Sequence, residues 1–376
     1  MTLCATARTG RAFSGRAEKW FQNLLFTACK QAVARENGLE VGFETTSRGE
    51  GRADEGLTLP GKARPHGFRH VAVVGPGAVG LCLAVRLARA KGGPRVTLID
   101  YRADRAARLS ARPLRLHTPA GDLEAVIPAA LAPEGPPDLV ILATKAHQTR
   151  AAAEAAAAWI GEAPLVTLQN GLGAVAEAAR ALPRTRVVTG VSYQAANLVA
   201  EGEANHVANL AVHLGYEGRA ADETVESVAR LLRDAGYPAR AEADMTPIVW
   251  GKLLVNAAIN PVAALAGVVN GWVADRPALR ALAEALAAEG EATARAEGVA
   301  LPYPSAAAAA IATARETADN RCSMLQDLEA RRPTEIEYLN GAIVRAAEAR
   351  GLATPANRAA GALVRQVSAA HEGGLR

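Results

Sequence analysis

From residue 70 onward the chain shows two kinds of apolar pattern in turn. Short continuous runs, "HVAVVG" (70–75), "RVTLID" (95–100), "DLVILATK" (138–145), "APLVTLQNG" (163–171) and "TRVVTGVSY" (185–193), are too short for helices and predict buried strands. Between several of them lie stretches with helical spacing, such as "LCLAVRLARAKG" (81–92), 146–160 and 173–182. Strands that are apolar throughout and separated by helices predict a parallel sheet covered on both faces. "NLAVHLG" (209–215) predicts a further strand and "ESVARLLRDAG" (226–236) a helix. After Met245 the strand signals stop. Residues 247–270, 275–297, 304–318, 323–331, 334–350 and 355–370 all predict helices, because alanine is the best helix former and Leu, Val and Ile recur at helical spacing.

Residues 1–68 break this order. They lack steady periodicity and become rich in Gly, Arg and acids from Ser47 to Arg69, which predicts a disordered, dispensable extension with one short helix at 20–34. The net charge of +4 belongs to this segment: residues 1–70 carry 11 Lys and Arg against 7 Asp and Glu, and the remainder 31 of each. With no basic run elsewhere and 4% aromatics, a nucleic-acid partner is not expected. The four cysteines, Cys4, Cys29, Cys82 and Cys322, have neither CxxC nor metal-ligand spacing, so no metal site or disulfide framework is expected and a cytoplasmic, reducing setting is. No uninterrupted apolar run of about 18 residues predicts a membrane span.

"GPGAVG" (Gly75, Pro76, Gly77, Ala78, Val79, Gly80) matches GxGxxG in the context that gives the motif its meaning, after a strand and at the start of a helix. The glycines permit the tight turn, the approach of a pyrophosphate and helix–strand packing. Asp100 lies twenty residues beyond Gly80, where an acid would bind ribose hydroxyls and favour NADH; Arg102 could instead grip a 2′-phosphate and favour NADPH. A third reading makes Asp100 a cap for the helix that follows. The expected fold is α/β: a Rossmann-type dinucleotide-binding domain over 69–244, then an all-helical substrate and catalytic domain over 245–373.

The helical half contains "WGKLLVNAAINP" (250–261), which sets Lys252, Asn256 and Asn260 four residues apart along one stripe of an apolar helix, with Asn270 beyond. A solvated face is the plainer alternative, but the flanking Trp, Leu, Val and Ala residues leave little else polar for such a face. In "CSMLQDLEARRPTEIEYLNG" (322–341), Ser323 with Gln326 and Thr334 with Glu337 both read as capping boxes, placing Glu335 in a first helical turn.

Taken together, "GPGAVG", "TKAHQT" around Lys145, "LQNG" with Asn170, "GKLLVNAAINP", Asn270, and "SMLQDL" followed twelve residues after Ser323 by Glu335 resemble the ketopantoate reductase family, from about 70 to 373. That resemblance implies an oxidoreductase that reduces a small 2-oxo acid, ketopantoate, to pantoate with NADPH, NADH being the alternative that Asp100 leaves open. It implies Lys252 as the acid that protonates the ketone oxygen and Glu335 at the substrate's hydroxyl end. Ser323, Asn256, Asn260 and Asn270 would hold the substrate's polar groups, and Lys145 and Asn170 would lie between nicotinamide and substrate. Apolar helix faces leave a homodimer open as well.

Overall fold

The computed structural model describes residues 67–372; the expected extension with its helix at 20–34 lies outside them up to residue 66. Phe68, which the composition assigns to that segment, is buried in the core of the sheet. The strands are β1 (His70–Val74), β2 (Arg95–Ile99), β3 (Leu114–His117), β4 (Leu123–Ala125), β5 (Ala129–Ala130), β6 (Leu139–Leu142), β7 (Leu165–Thr167), β8 (Val187–Ser192), β9 (Ala195–Ala200), β10 (Glu203–Ala208), β11 (Val212–Gly215) and β12 (Ala239–Ala241). The helices are α1 (Ala78–Arg89), α2 (Ala103–Ser110), α3 (Thr149–Ala156), α4 (Ala174–Ala181), α5 (Glu223–Asp234), α6 (Thr246–Ala266), α7 (Asn270–Asp275), α8 (Pro277–Ala296), α9 (Ala306–Glu316), α10 (Ser323–Glu329), α11 (Asn340–Ala349) and α12 (Pro355–Glu372).

Eight strands form one sheet in the order β12-β11-β8-β7-β6-β1-β2-β5, with every neighbouring pair parallel except β11 and β8. β1 is central: Val71 pairs with Val96 on one side and Leu139 on the other. Because the chain leaves β1 for β2 and later returns to β6 on the opposite flank, the strand order reverses there, the switch point at which open α/β sheets bind ligands beyond the carboxyl ends of their strands. The continuous apolar runs are explained by full burial; all four residues of β6 are inaccessible.

A second sheet, β4-β3-β10-β9, was not predicted. Its strands are partly exposed, and their composition lacks the continuous apolar run that marks the central strands. This sheet packs on α1, whose other side faces β1 and β2, which is why seven of that helix's residues are buried rather than a single stripe.

From Thr246 onward, every described element is helical, and α6 is its axis, packed against α8, α9, α10 and α12. By length and composition α6 could cross a membrane, but 78% of its most apolar window is buried inside the protein. Pro261 inside α6 has no N–H to give the Ala257 carbonyl four residues back, and that carbonyl instead accepts 2.9 Å from the fully buried Asn340 amide. The predicted helix at 334–350 begins only at Asn340. Residues 335–339 form a turn instead, with Tyr338 and Leu339 donating to the Glu335 carbonyl, so the Thr334–Glu337 capping box is not formed. Cys322, rather than Ser323, caps α10 through its sulfur.

Candidate active site

The three motif glycines occupy three different environments. Gly75 has φ +104°, and its nitrogen donates to Ile99 O at 2.9 Å, tying the loop to the end of β2. A Cβ on Gly80 would lie 1.9 Å from Gly75 O, so this position permits the close packing of loop and helix. A Cβ on Gly77 would meet nothing within 4 Å: the middle glycine borders open space at the N-terminus of α1, whose first-turn N–H groups no side chain caps. That is the cradle a pyrophosphate needs, with backbone donors and the positive end of the helix dipole facing it.

At the end of β2, Asp100 is 2% exposed as a residue and its side chain not at all. Both of its oxygens are held by the Arg105 guanidinium, one by a 2.6 Å bond from Nη2 and the other by Nε, and Oδ1 also accepts from Arg102 N at 3.2 Å. Arg102 is the N-cap residue of α2, and its side chain pairs on the surface with Asp104. Arg105 had no distinguishing mark in the sequence; only its folded distance from Asp100 singles it out.

A chain of hydrogen bonds crosses between the sheet half and the helical half. Lys252 on α6 donates 2.8 Å to Asn170 Oδ1 and 2.5 Å to Ser192 O at the end of β8. Asn170 Nδ2 donates 3.1 Å to Glu335 Oε2, and Glu335 Oε1 accepts 2.8 Å from Ala146 N. Gly171 makes this possible: it has φ +88°, Leu172 N donates 3.0 Å to Tyr338 O, and a Cβ at Gly171 would lie 2.1 Å from that oxygen. Only a glycine lets the loop after β7 press against the 335–339 turn and bring Asn170 to Glu335.

Lys252 keeps some exposed surface along its length while its ammonium is enclosed. Burial lowers its pKa from 10.5 to about 8, and the Glu335 carboxylate opposes that fall. The ammonium also stands 5.2 Å from the centre of the Tyr193 ring, within cation–π range. Such an amine is charged at neutral pH yet gives up its proton far more readily than a solvated lysine.

Lys145 lies on the same seam but pairs elsewhere, donating 2.6 Å to Asp327 on α10. Asp327 is 1% exposed and also accepts from Arg332 at 3.1 Å. Asn256 is half-buried and Asn260 buried on the Lys252 stripe; Asn270 donates 2.9 Å to Thr317, and Ser323 is exposed at the start of α10. Among the described residues, these four add no hydrogen bond to the Lys252–Asn170–Glu335 chain, nor does any group of His, Cys, Asp and Glu have the makings of a metal site.

Comparison with known proteins identifies the family. The family described as "Ketopantoate reductase PanE/ApbA" matches residues 71–218, and its C-terminal part matches 244–368. A 2-dehydropantoate 2-reductase of Halobacterium salinarum is 33% identical over 298 residues, 78% of this chain and 97% of its own length. The crystal structure of a PanE/ApbA family ketopantoate reductase from Ralstonia eutropha superposes with TM-score 0.73 at 31% identity, covering 81% of this chain and 99% of its own. A D-mandelate dehydrogenase with NADH and anilino(oxo)acetate shares the fold at TM-score 0.74 and 23% identity, covering 81% of this chain and 99% of its own. Both halves of the sequence and the arrangement that joins them thus lead to one conclusion: the chain belongs to the ketopantoate reductase family.

Proposed function

We propose that, in the reduction of 2-dehydropantoate carried out by this family, Lys252 is the group that protonates the ketone oxygen. A bound nicotinamide supplies hydride to the carbonyl carbon, and the oxygen gains negative charge as that happens. Stabilising it requires a donor already aimed at the position, and an ammonium provides both charge and proton. The observation that carries this reading is the Lys252–Asn170–Glu335 chain at the seam of the two halves, with the amine pKa drawn down to about 8. Asn170 fixes the amine's direction through its amide oxygen, and Ser192 O fixes a second N–H, leaving the third for substrate. Glu335 keeps the amine charged and, with acceptor capacity left on both oxygens, can take the hydroxyl of the substrate. Asn256, Asn260, Asn270 and Ser323 belong to the proposal as groups for the carboxylate end. The loop Gly75–Gly80 would hold the cofactor's pyrophosphate, with Lys145 bordering the nicotinamide end.

Steady-state oxidation of NADPH and NADH with ketopantoate, beside a panel of other branched 2-oxo acids, tests the reading. Ketopantoate should give the highest kcat/KM. Lys252→Ala should lower kcat by roughly 10²- to 10⁴-fold, the usual contribution of a positioned proton donor, while cofactor affinity changes little. Turnover within threefold of wild type would reject the assignment. Mass photometry of the same preparation reads the homodimer that belongs to the proposal as well; Trp272, 48% exposed, and Leu282 are the large apolar side chains of α7 and α8 left at the surface.

A further inference from the structure

A row of side chains crosses three neighbouring strands and ends at Lys252. β11 lies between β8 and β12, antiparallel to the first and parallel to the second. Its pairing with β8 continues one residue past Ser192, where Tyr193 N donates 3.0 Å to Ala211 O. Tyr193 therefore shares a face of the sheet with His213, two residues along the opposite strand, the diagonal across which aromatic side chains reach one another. Their rings stand 5.8 Å apart and nearly perpendicular, at 84°. His213 is 6% exposed, and its Nδ1 lies 2.6 Å from Oε1 of Glu242, the residue after β12. Because Nε2 has no hydrogen-bond partner among the described residues, Glu242 is the group that orients the imidazole. At the other end of the row, Nζ of Lys252 lies over the face of the Tyr193 ring, 5.2 Å from its centre. The turn that carries the ring is tied down as well: Gln194 donates to Leu210 O and bonds His206 at 2.5 Å.

We infer that Tyr193 is a positioning residue for the Lys252 ammonium, presenting the negative face of its ring to the charge, and that His213 and Glu242 are the brace that holds the ring there. An ammonium taken out of water needs compensation on every side. Asn170 and Ser192 accept two of its N–H groups, and the ring face attracts the charge without accepting a proton, so the third N–H stays transferable. Of the acids around the amine, Glu335 acts through Asn170, Glu217 lines the cavity that Lys252 also lines, and Glu242 stands behind His213. As packing alone the brace is costly, because it buries an imidazole nitrogen with no partner, which an apolar side chain would avoid. The inference deepens the proposed role of Lys252 as proton donor and rests on it.

Titration of Lys252 by NMR on protein with isotope-labelled lysine reads the amine directly, its signal assigned by its loss in Lys252→Ala. Tyr193→Leu should lower the midpoint by about half to one and a half pH units, the range for a ring face on a desolvated cation. Tyr193→Phe keeps the face and should stay within about 0.3 unit of the wild type. His213→Ala should move the midpoint in the same direction as Tyr193→Leu, and the double variant no further than Tyr193→Leu alone. Glu242→Gln keeps an acceptor for Nδ1 and should stay nearer the wild type than Glu242→Ala. A melting curve accompanies each variant; if His213→Ala does not fold, the two Glu242 variants, at a side chain 23% exposed, carry the test of the brace. An unmoved midpoint in Tyr193→Leu, an equal shift in Tyr193→Phe, or additive shifts in the double variant overturns the inference. Turnover of Lys252→Ala is recorded separately: if it stays at the wild-type level while the midpoint follows Tyr193, this inference holds and Lys252 loses only its role as proton donor.

Discussion

Neutralising Glu335 should move the pH dependence of turnover in a direction and by an amount that the structure dictates. Lys252 and Glu335 face one another through the Asn170 amide, with hydrogen bonds of 2.8 and 3.1 Å on either side. That places the two charges roughly 6 Å apart, and at an effective dielectric constant of about 20 their attraction is about 3 kcal/mol, equivalent to about two pKa units. Burial lowers the lysine and the carboxylate raises it, to a balance near 8. Glu335→Gln removes the raising contribution, so the lysine loses its proton at lower pH. Because reduction needs the protonated amine, kcat is high below the lysine pKa and falls as pH rises through it. The alkaline limb of kcat should therefore run near pH 8 in the wild type and about two pH units lower in the variant. At pH 7.5 that alone is roughly a twentyfold loss, recovered in part by assaying at lower pH. The assay is NADPH absorbance at saturating ketopantoate across the pH range, repeated with 4-deuterated cofactor to establish that hydride transfer limits the rate. A limb that stays in place, or moves to higher pH, would refute the electrostatic account even if Glu335 proved essential.

Three further outcomes are expected. Gly171→Ala forces a side chain into the left-handed region and against Tyr338 O, so it should destabilise the protein by about 1–3 kcal/mol or more in chemical denaturation; an unchanged midpoint would show that the loop does not need glycine. Glu316 has one buried oxygen without a partner, and burial pushes its pKa up to about 7 from 4.5; the folded state holds the proton more tightly, so stability declines as pH rises through that window. Glu316→Gln should therefore raise the melting temperature at pH 8 with little effect at pH 4.5, and an equal gain at both would contradict it. Burial pushes the thiols of Cys82 and Cys322 up to about 12 and about 11, so peptide mapping after iodoacetamide treatment at pH 8 should find both unmodified in the native protein and modified after denaturation.

What could be read in advance follows from how local each signal is. Glycine spacing, apolar runs and the four-residue interval between Lys252, Asn256 and Asn260 are properties of a few neighbouring residues, and each appears in the folded chain at the expected element. The bond from Asn170 to Glu335 spans 165 residues and that from Lys145 to Asp327 spans 182, and no periodicity carries such a pairing. Only the family likeness placed Lys145, Asn170 and Glu335 together, and it did not single out Asp327 or Arg105. The misread turn at 335–339 has a similar cause. Glu335 resembles a first-turn acid, but its carboxylate reaches Ala146 N and Asn170 in the other half, and its segment follows those contacts rather than the helix that local capping favours.

The path from Lys252 to Asn170 to Glu335 to Ala146 alternates at each step between the helical half and the sheet half. The acidity of the lysine is consequently not an attribute of its helix. It exists only while two separately built surfaces are in register, and a parting of the seam would return the amine to water and a bulk-like pKa. A single titrating nitrogen thereby doubles as a gauge of assembly: its proton affinity, followed by isotope-edited NMR, would report how closed the seam is under any condition, before any substrate is added.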